Sequence, residues 1–278
     1  MFFLILAILG GSALSIMMRM SEGRVKSKIS MLAVNYITCI LLCGVHMNFD
    51  LAIEADGSGF ALGLGMITGV FYVVSLLLMQ LNIRKNGVIL PSVFSRLGGL
   101  LVPLAVAICF FGESPTVLQI IGAVIAGVAI VAINAGSEKA AVTSVLPLFA
   151  LLLSDGLATT MSTVYEKMGA SELGTQFLFY TFGTALLICL VLILKNGERF
   201  GLPEILFGLS IGIPNFYASR CLLQALETVP AFIAYPTRGV ACIVVVSLAG
   251  ILMFHEQLRK RQWAAIGAIL VSVALLNV

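Results

Sequence analysis

Long apolar runs alternate with short polar breaks along the whole chain, and the runs share one length class. Mostly aliphatic stretches cover 2–20, 31–47, 58–81, 87–111, 115–134, 144–164, 173–194, 203–224, 229–253 and 261–278. Charged residues, glycine, proline and asparagine gather between them. A hydrocarbon core about 30 Å thick is crossed by about 20 helical residues, so each run predicts one transmembrane helix, ten in all. Breaks such as 112–114 and 225–228 leave room only for a turn, which makes sequence neighbours antiparallel neighbours in space. The first run, up to Met18, is followed rather than preceded by its first basic residue, Arg19. It therefore reads as a permanent helix and not as a signal peptide. No soluble domain is expected before or after the membrane part.

Composition sharpens this picture. Hydrophobic residues make up 60% of the 278 and charged residues 10%, with a mean hydropathy of +1.11. Soluble globular chains carry about 25% charged residues, so a water-soluble fold is excluded. The net charge of +3 comes from few residues and points to orientation in a membrane, not to nucleic acid. Lys and Arg concentrate at the odd-numbered breaks: Arg19, Arg24, Lys26 and Lys28; Arg84 and Lys85; Lys139; Lys195 and Arg199; Arg259, Lys260 and Arg261. The even breaks offer only Lys167, and the second is acidic, with Asp50, Glu54 and Asp56. The odd loops are thus expected in the cytoplasm and both termini outside, in a plasma or inner membrane. The cysteines, Cys39, Cys43, Cys109, Cys189, Cys221 and Cys242, all fall inside apolar runs without metal-ligand spacing, and read as small packing residues. Neither a metal nor another cofactor is expected.

The chain also repeats itself. A shift of about 144–145 residues sets Glu22 on Glu166, Tyr36 on Tyr180, Gly63-Leu64 on Gly208-Leu209 and Phe71-Tyr72 on Phe216-Tyr217. Pro91 and Arg96 have approximate counterparts in Pro236 and Arg238. Gly112-Glu113, Gln119 and Gly122-Ala123 answer His255-Glu256, Gln262 and Gly267-Ala268. Two repeats, 1–135 and 143–278, follow. Each holds five spans, an odd number, so the second enters the membrane inverted. Inverted repeats supply secondary transporters with outward- and inward-open states of one architecture, with substrate bound near the midplane.

Phe111-Gly112-Glu113, Gln119, Gly122-Ala123 and Gly127, with the weaker copy His255-Glu256, Gln262 and Gly267-Ala268, resemble the motif of the drug/metabolite transporter superfamily, EamA type. The resemblance covers essentially the whole chain. It departs in the first helix, where the family often has tryptophan and this chain reads Leu9-Gly10-Gly11-Ser12. It implies ten helices in two five-helix repeats and movement of a metabolite without a nucleotide-hydrolysing subunit. It does not name the cargo, because the family handles amino acids, sugars, nucleotide-like metabolites and drugs.

Charge inside hydrocarbon costs roughly 2.5–3.5 kcal/mol per residue on insertion scales and marks function by default. Arg96 and Arg238 each lie about nine residues into their runs, which at 1.5 Å per residue is roughly 14 Å, near mid-bilayer. A guanidinium binds carboxylate or phosphate through two parallel hydrogen bonds, so the pair predicts an anion clamp. The competing reading pairs each arginine with Asp155 or with carbonyls freed by proline. Asp155, deep in the sixth run, neutralises an arginine, meets a substrate amine or relays a proton. Tyr72, Tyr217, Asn215 and Tyr235, with Phe71, Phe94 and Phe216, are candidates to line a cavity. The phenylalanines serve packing equally well. Pro91, Pro214 and Pro236, with Pro103, are candidate hinges that free backbone carbonyls. Glu113 and Glu256 are expected to cap the helix that follows each, Glu22 and Glu166 to act locally, and Arg220 to reach the interface. Gly98-Gly99, Gly122, Gly127 and Gly267 fit close helix packing.

An intramembrane enzyme is disfavoured. Asp155 lacks the second aspartate of a protease dyad, His255-Glu256-Gln257-Leu258-Arg259 lacks the second histidine of a zinc site, and no Walker loop occurs. The sequence therefore reads as a secondary transporter of a small metabolite, favoured as an amino acid or related organic anion. A proton or counter-substrate is its expected partner, besides the bilayer. A channel or a lipid-intermediate flippase is the alternative.

Overall fold

The computed structural model describes residues 1–51, 55–86, 89–134 and 145–254, and beyond them 264, 267, 268, 271, 272 and 274–276. All regular structure among the described residues is helical: α1 (Phe2–Ser21), α2 (Lys28–His46), α3 (Ser58–Asn86), α4 (Ile89–Phe111), α5 (Val117–Asn134), α6 (Leu146–Met168), a 3₁₀ turn (Ser171–Leu173), α7 (Gly174–Asn196), α8 (Leu202–Leu226) and α9 (Ala231–Phe254). Among the described residues seven stretches are long and apolar enough to cross a membrane: Phe2–Ser21, Lys28–His46, Ser58–Ile83, Pro91–Phe111, Leu146–Met168, Ser171–Asn196 and Ala231–Met253. Val117–Ala132 is a shorter apolar helix. α8 is long enough but interrupts its apolar run with Glu204, Asn215, Arg220 and Gln224. Most of the expected tenth run, 261–278, lies outside the described residues, as do Glu54, Lys139, His255, Glu256, Arg259, Lys260, Arg261 and Gln262. The chain is thus an all-helical, multi-pass membrane protein.

Helix ends fall where the sequence provides caps. The Ser27 hydroxyl accepts the Ser30 N–H at 2.9 Å and opens α2. Thr116 and Gln119 cap α5 reciprocally: the Thr116 N–H donates to Gln119 Oε1 at 2.8 Å, and the Gln119 N–H to Thr116 Oγ1 at 3.3 Å. α7 stops at Gly197, whose φ of 64° is left-handed.

The helices pack as two compact units, Met1–Val73 with Val164–Glu227, and Val74–Thr163 with Thr228–Val278. Each unit draws helices from both halves of the sequence. In the first, α8 packs against α1 and α2, and α2 against α7. The approach of α8 to α2 depends on Gly208 and Gly212, one turn apart, because a Cβ at either would run into Val34 or Thr38. Tyr165 stacks on Phe177 with ring centroids 4.4 Å apart, and Tyr36 on Phe182 at 6.2 Å. At one end of this unit the Glu204 carboxylate accepts the backbone N–H groups of Lys26 and Ser27 at 2.8 and 3.2 Å.

In the second unit α4 packs on α5 and α9. Their shared core is Leu100, Ala126, Ala129, Ile130, Val240 and Ile243, with Leu97, Val244 and Ala268 against it. α4 and α6 touch backbone to backbone: a Cβ at Gly98 would collide with the Leu152 carbonyl oxygen. Large aliphatic side chains stand exposed on many helices, with Leu194 at 82% and Leu146 at 81%. In hydrocarbon that exposure costs nothing, which explains why so hydrophobic a surface is compatible with a folded chain.

Candidate functional site

Arg96 and Arg238 occupy equivalent places in their helices, each seven residues beyond the first helical residue, Ile89 of α4 and Ala231 of α9. The two helices pack together in the second unit. Both arginines line one cavity of about 140 Å³, together with Gly99 of α4, Thr159 of α6, and Tyr235 and Gly239 of α9. Arg96, Arg238 and Tyr235 thus face one cavity. Its volume is below the roughly 300–1,000 Å³ of pockets for drug-sized ligands, so in this conformation it admits a group the size of a carboxylate or a compact metabolite.

Tyr235 is locked. It is 3% exposed, and its hydroxyl donates to the Thr159 carbonyl at 3.0 Å and accepts from Thr163 Oγ1 at 2.8 Å. This ties α9 to α6. Residues three apart share a helix face, so the anchored tyrosine sets the azimuth from which Arg238 reaches the cavity. Arg238 is half-buried, whereas Arg96 is exposed. The Nε–H of Arg238 and the Thr237 hydroxyl are buried and find no hydrogen-bond partner among the described residues. A buried polar group without a partner costs about 1–3 kcal/mol, and more when charged.

Asp155 lies outside this lining. Its carboxylate accepts a hydrogen bond from the Ser95 hydroxyl. Among the described residues it forms no ion pair with either arginine, so the charge-neutralising reading finds no support in the geometry. Thr159, one turn on, returns its hydroxyl to the Asp155 carbonyl at 2.8 Å.

The other expected residues separate. Tyr72, Asn215 and Tyr217 belong to the first unit. There the Asn215 side-chain amide donates to Asn35 Oδ1 at 3.1 Å, and Tyr217, 42% exposed, sits edge-on to Phe216 and His46. Phe94 packs edge-on against Phe149 at 5.8 Å. Pro103, Pro214 and Pro236 lie inside helices, and Pro236 leaves the Phe232 carbonyl without its usual N–H donor. Pro91 falls in the first turn of α4, where a missing N–H breaks no bond.

Glu113 differs from expectation. The cap of the following helix is made by Thr116 and Gln119. The two carboxylate oxygens of Glu113 accept the N–H groups of Ala231 and Phe232 at 3.2 and 3.1 Å, capping α9, which carries Arg238. Ser95 and Thr159 were not anticipated. Their only signal in the sequence is that Ser95 adjoins Arg96 and that Thr159 lies one helical turn from Asp155.

A larger cavity of about 660 Å³ between α4 and α5 is lined by Leu97, Leu101, Leu104, Val124, Val128 and other apolar residues. It holds no side chain that could orient a polar solute, so the small arginine cavity is the candidate site.

Residues 147–278 match the model of the EamA-like transporter family. No curated protein matches the chain. Among solved structures, one protein known by its crystal structure is 14% identical, with 99% of this chain and 94% of its own covered and a TM-score of 0.77. That likeness is one of fold alone.

Proposed function

We propose, from the match of residues 147–278 to the EamA-like transporter family, that the chain is a secondary transporter of a small organic anion or zwitterion, an amino acid or related organic acid. The observation that carries the reading is the pair of guanidinium groups in one small cavity, where the buried Nε–H of Arg238 has no partner among the described residues. A carboxylate oxygen supplies that partner, and two guanidinium groups offset the negative charge where neither forms an ion pair with Asp155. Tyr235 and Thr159 shape the wall against which the rest of the cargo rests.

In this proposal the repeats 1–135 and 143–278 are inverted, and their exchange of conformations opens the cavity alternately to each side. Pro236 and Pro214 absorb bending. Asp155 answers a coupling ion. Odd-numbered loops face the cytoplasm of a plasma or inner membrane, with both termini outside.

The test is counterflow in proteoliposomes loaded with unlabelled amino acids and organic acids in turn. Saturable, trans-stimulated uptake of a carboxylate-bearing compound is expected, and its loss in Arg238→Ala and Arg96→Ala. Normal counterflow in both variants, or flux without trans-stimulation, overturns the reading.

A further inference from the structure

The arginine cavity holds charge that its own wall does not offset. Arg96 and Arg238 share a space of about 140 Å³, and no acidic side chain stands among the described residues that line it. Asp155 lies outside the lining and accepts the Ser95 hydroxyl. The Nε–H of Arg238 is buried and has no partner among the described residues. Two like charges in so small a space repel each other, and an apolar surrounding strengthens the repulsion.

The hydroxyl groups of the lining are already committed. Tyr235 donates to the Thr159 carbonyl at 3.0 Å, and Thr159 donates to the Asp155 carbonyl at 2.8 Å. Neither keeps a hydrogen for an incoming anion, so the side-chain donors open to one are those of the two guanidinium groups. Each guanidinium fork matches one carboxylate through two parallel hydrogen bonds. Leu100 of α4, Ile130 of α5 and Ile243 of α9 add an apolar stretch of wall.

We infer that the cavity takes a short aliphatic dicarboxylate, with one carboxylate on each guanidinium and the linking carbons against Leu100, Ile130 and Ile243. A dianion cancels both charges. A zwitterion leaves them uncancelled and brings an ammonium group into the same small space. The lone pairs of Tyr235 and Thr159 can accept from that ammonium, but they are neutral and do not offset its repulsion from two guanidinium groups. A monocarboxylate leaves one fork unanswered. As a statement about cargo the inference rests on the transport reading, which it narrows to one kind of anion; as a binding site it stands without it.

Equilibrium dialysis of radiolabelled succinate against the purified full-length protein in detergent tests it, with butyrate, alanine and inorganic phosphate as competitors. Saturable succinate binding is expected, displaced by each competitor only at about tenfold higher concentration or more. Arg96→Gln should weaken succinate about tenfold or more and leave labelled butyrate within about twofold, because one fork still serves one carboxylate. Arg238→Gln should do the same, and the exposed position of Arg96 keeps the test decisive if that second variant does not fold. No saturable succinate binding, alanine or butyrate competing as well as succinate, or unchanged discrimination in Arg96→Gln overturns the inference. Phosphate competing as well as succinate removes the role of the linking carbons and overturns it too. Counterflow of alanine without succinate binding sinks the dicarboxylate and leaves the transport reading standing. Succinate binding without counterflow of any compound does the reverse.

Discussion

The Tyr235 hydroxyl donates to the Thr159 carbonyl oxygen at 3.0 Å and so fastens α9 to α6 beside the arginine cavity. The bond joins two residues 76 positions apart, each next to or one turn from a charged group. Removing it tests whether the cavity wall is rigid by design. Tyr235→Phe keeps the ring and its packing but loses both hydroxyl bonds, and should cost about 1–2 kcal/mol of stability. The expected signature is a modestly lower melting temperature in detergent, with a larger loss of substrate affinity because Arg238 is no longer held at its azimuth.

Arg238 sets stability against function. A half-buried guanidinium whose buried Nε–H finds no partner among the described residues is a cost that a well-packed apolar side chain removes. Arg238→Met is therefore expected to melt at the same temperature as the unmodified protein or higher, while binding and counterflow vanish. Arg238→Lys keeps the charge but not the planar fork, and should retain weak transport with affinity reduced about tenfold or more. A thermal melt paired with counterflow reads both outcomes.

Glu113 should behave as the cap of α9. Its carboxylate faces two N–H groups at the positive end of the helix dipole. Glu113→Ala is expected to lower stability by about 1–2 kcal/mol, and Glu113→Gln by less, since an amide oxygen still accepts one N–H. Melting curves of the two variants should rank in that order. Equal curves for both variants and the unmodified protein would show that the cap contributes nothing.

Gly98 should tolerate no larger residue. With the Leu152 carbonyl oxygen occupying the space of its missing Cβ, Gly98→Leu forces α4 and α6 apart and should abolish monodisperse elution in size-exclusion chromatography. The same substitution at Gly63, where nothing lies within 4 Å of an added Cβ, should leave the profile unchanged.

Much of the fold was legible from the chain alone, because the bilayer imposes a rule that sequence must obey locally. Every backbone group in hydrocarbon has to be bonded within its own helix, so length and hydropathy locate the spans without reference to partners. The expected runs 2–20 and 58–81 meet α1 and α3, and Ser27 and Gly197 mark ends by their own chemistry. The prominence of Arg96 and Arg238 was legible for the same reason, since charge in oil is costly at whatever position it occurs.

What partners those charges meet was decided only in three dimensions. Glu113 adjoins α5 in sequence but caps α9. Asp155 is taken by Ser95 and, among the described residues, by no arginine. Asn215 meets Asn35, while Tyr235 shares its cavity with both arginines. Helical periodicity tells which face a side chain is on but not which neighbour stands there, and in a bundle held by close packing that choice depends on where glycines let two helices touch.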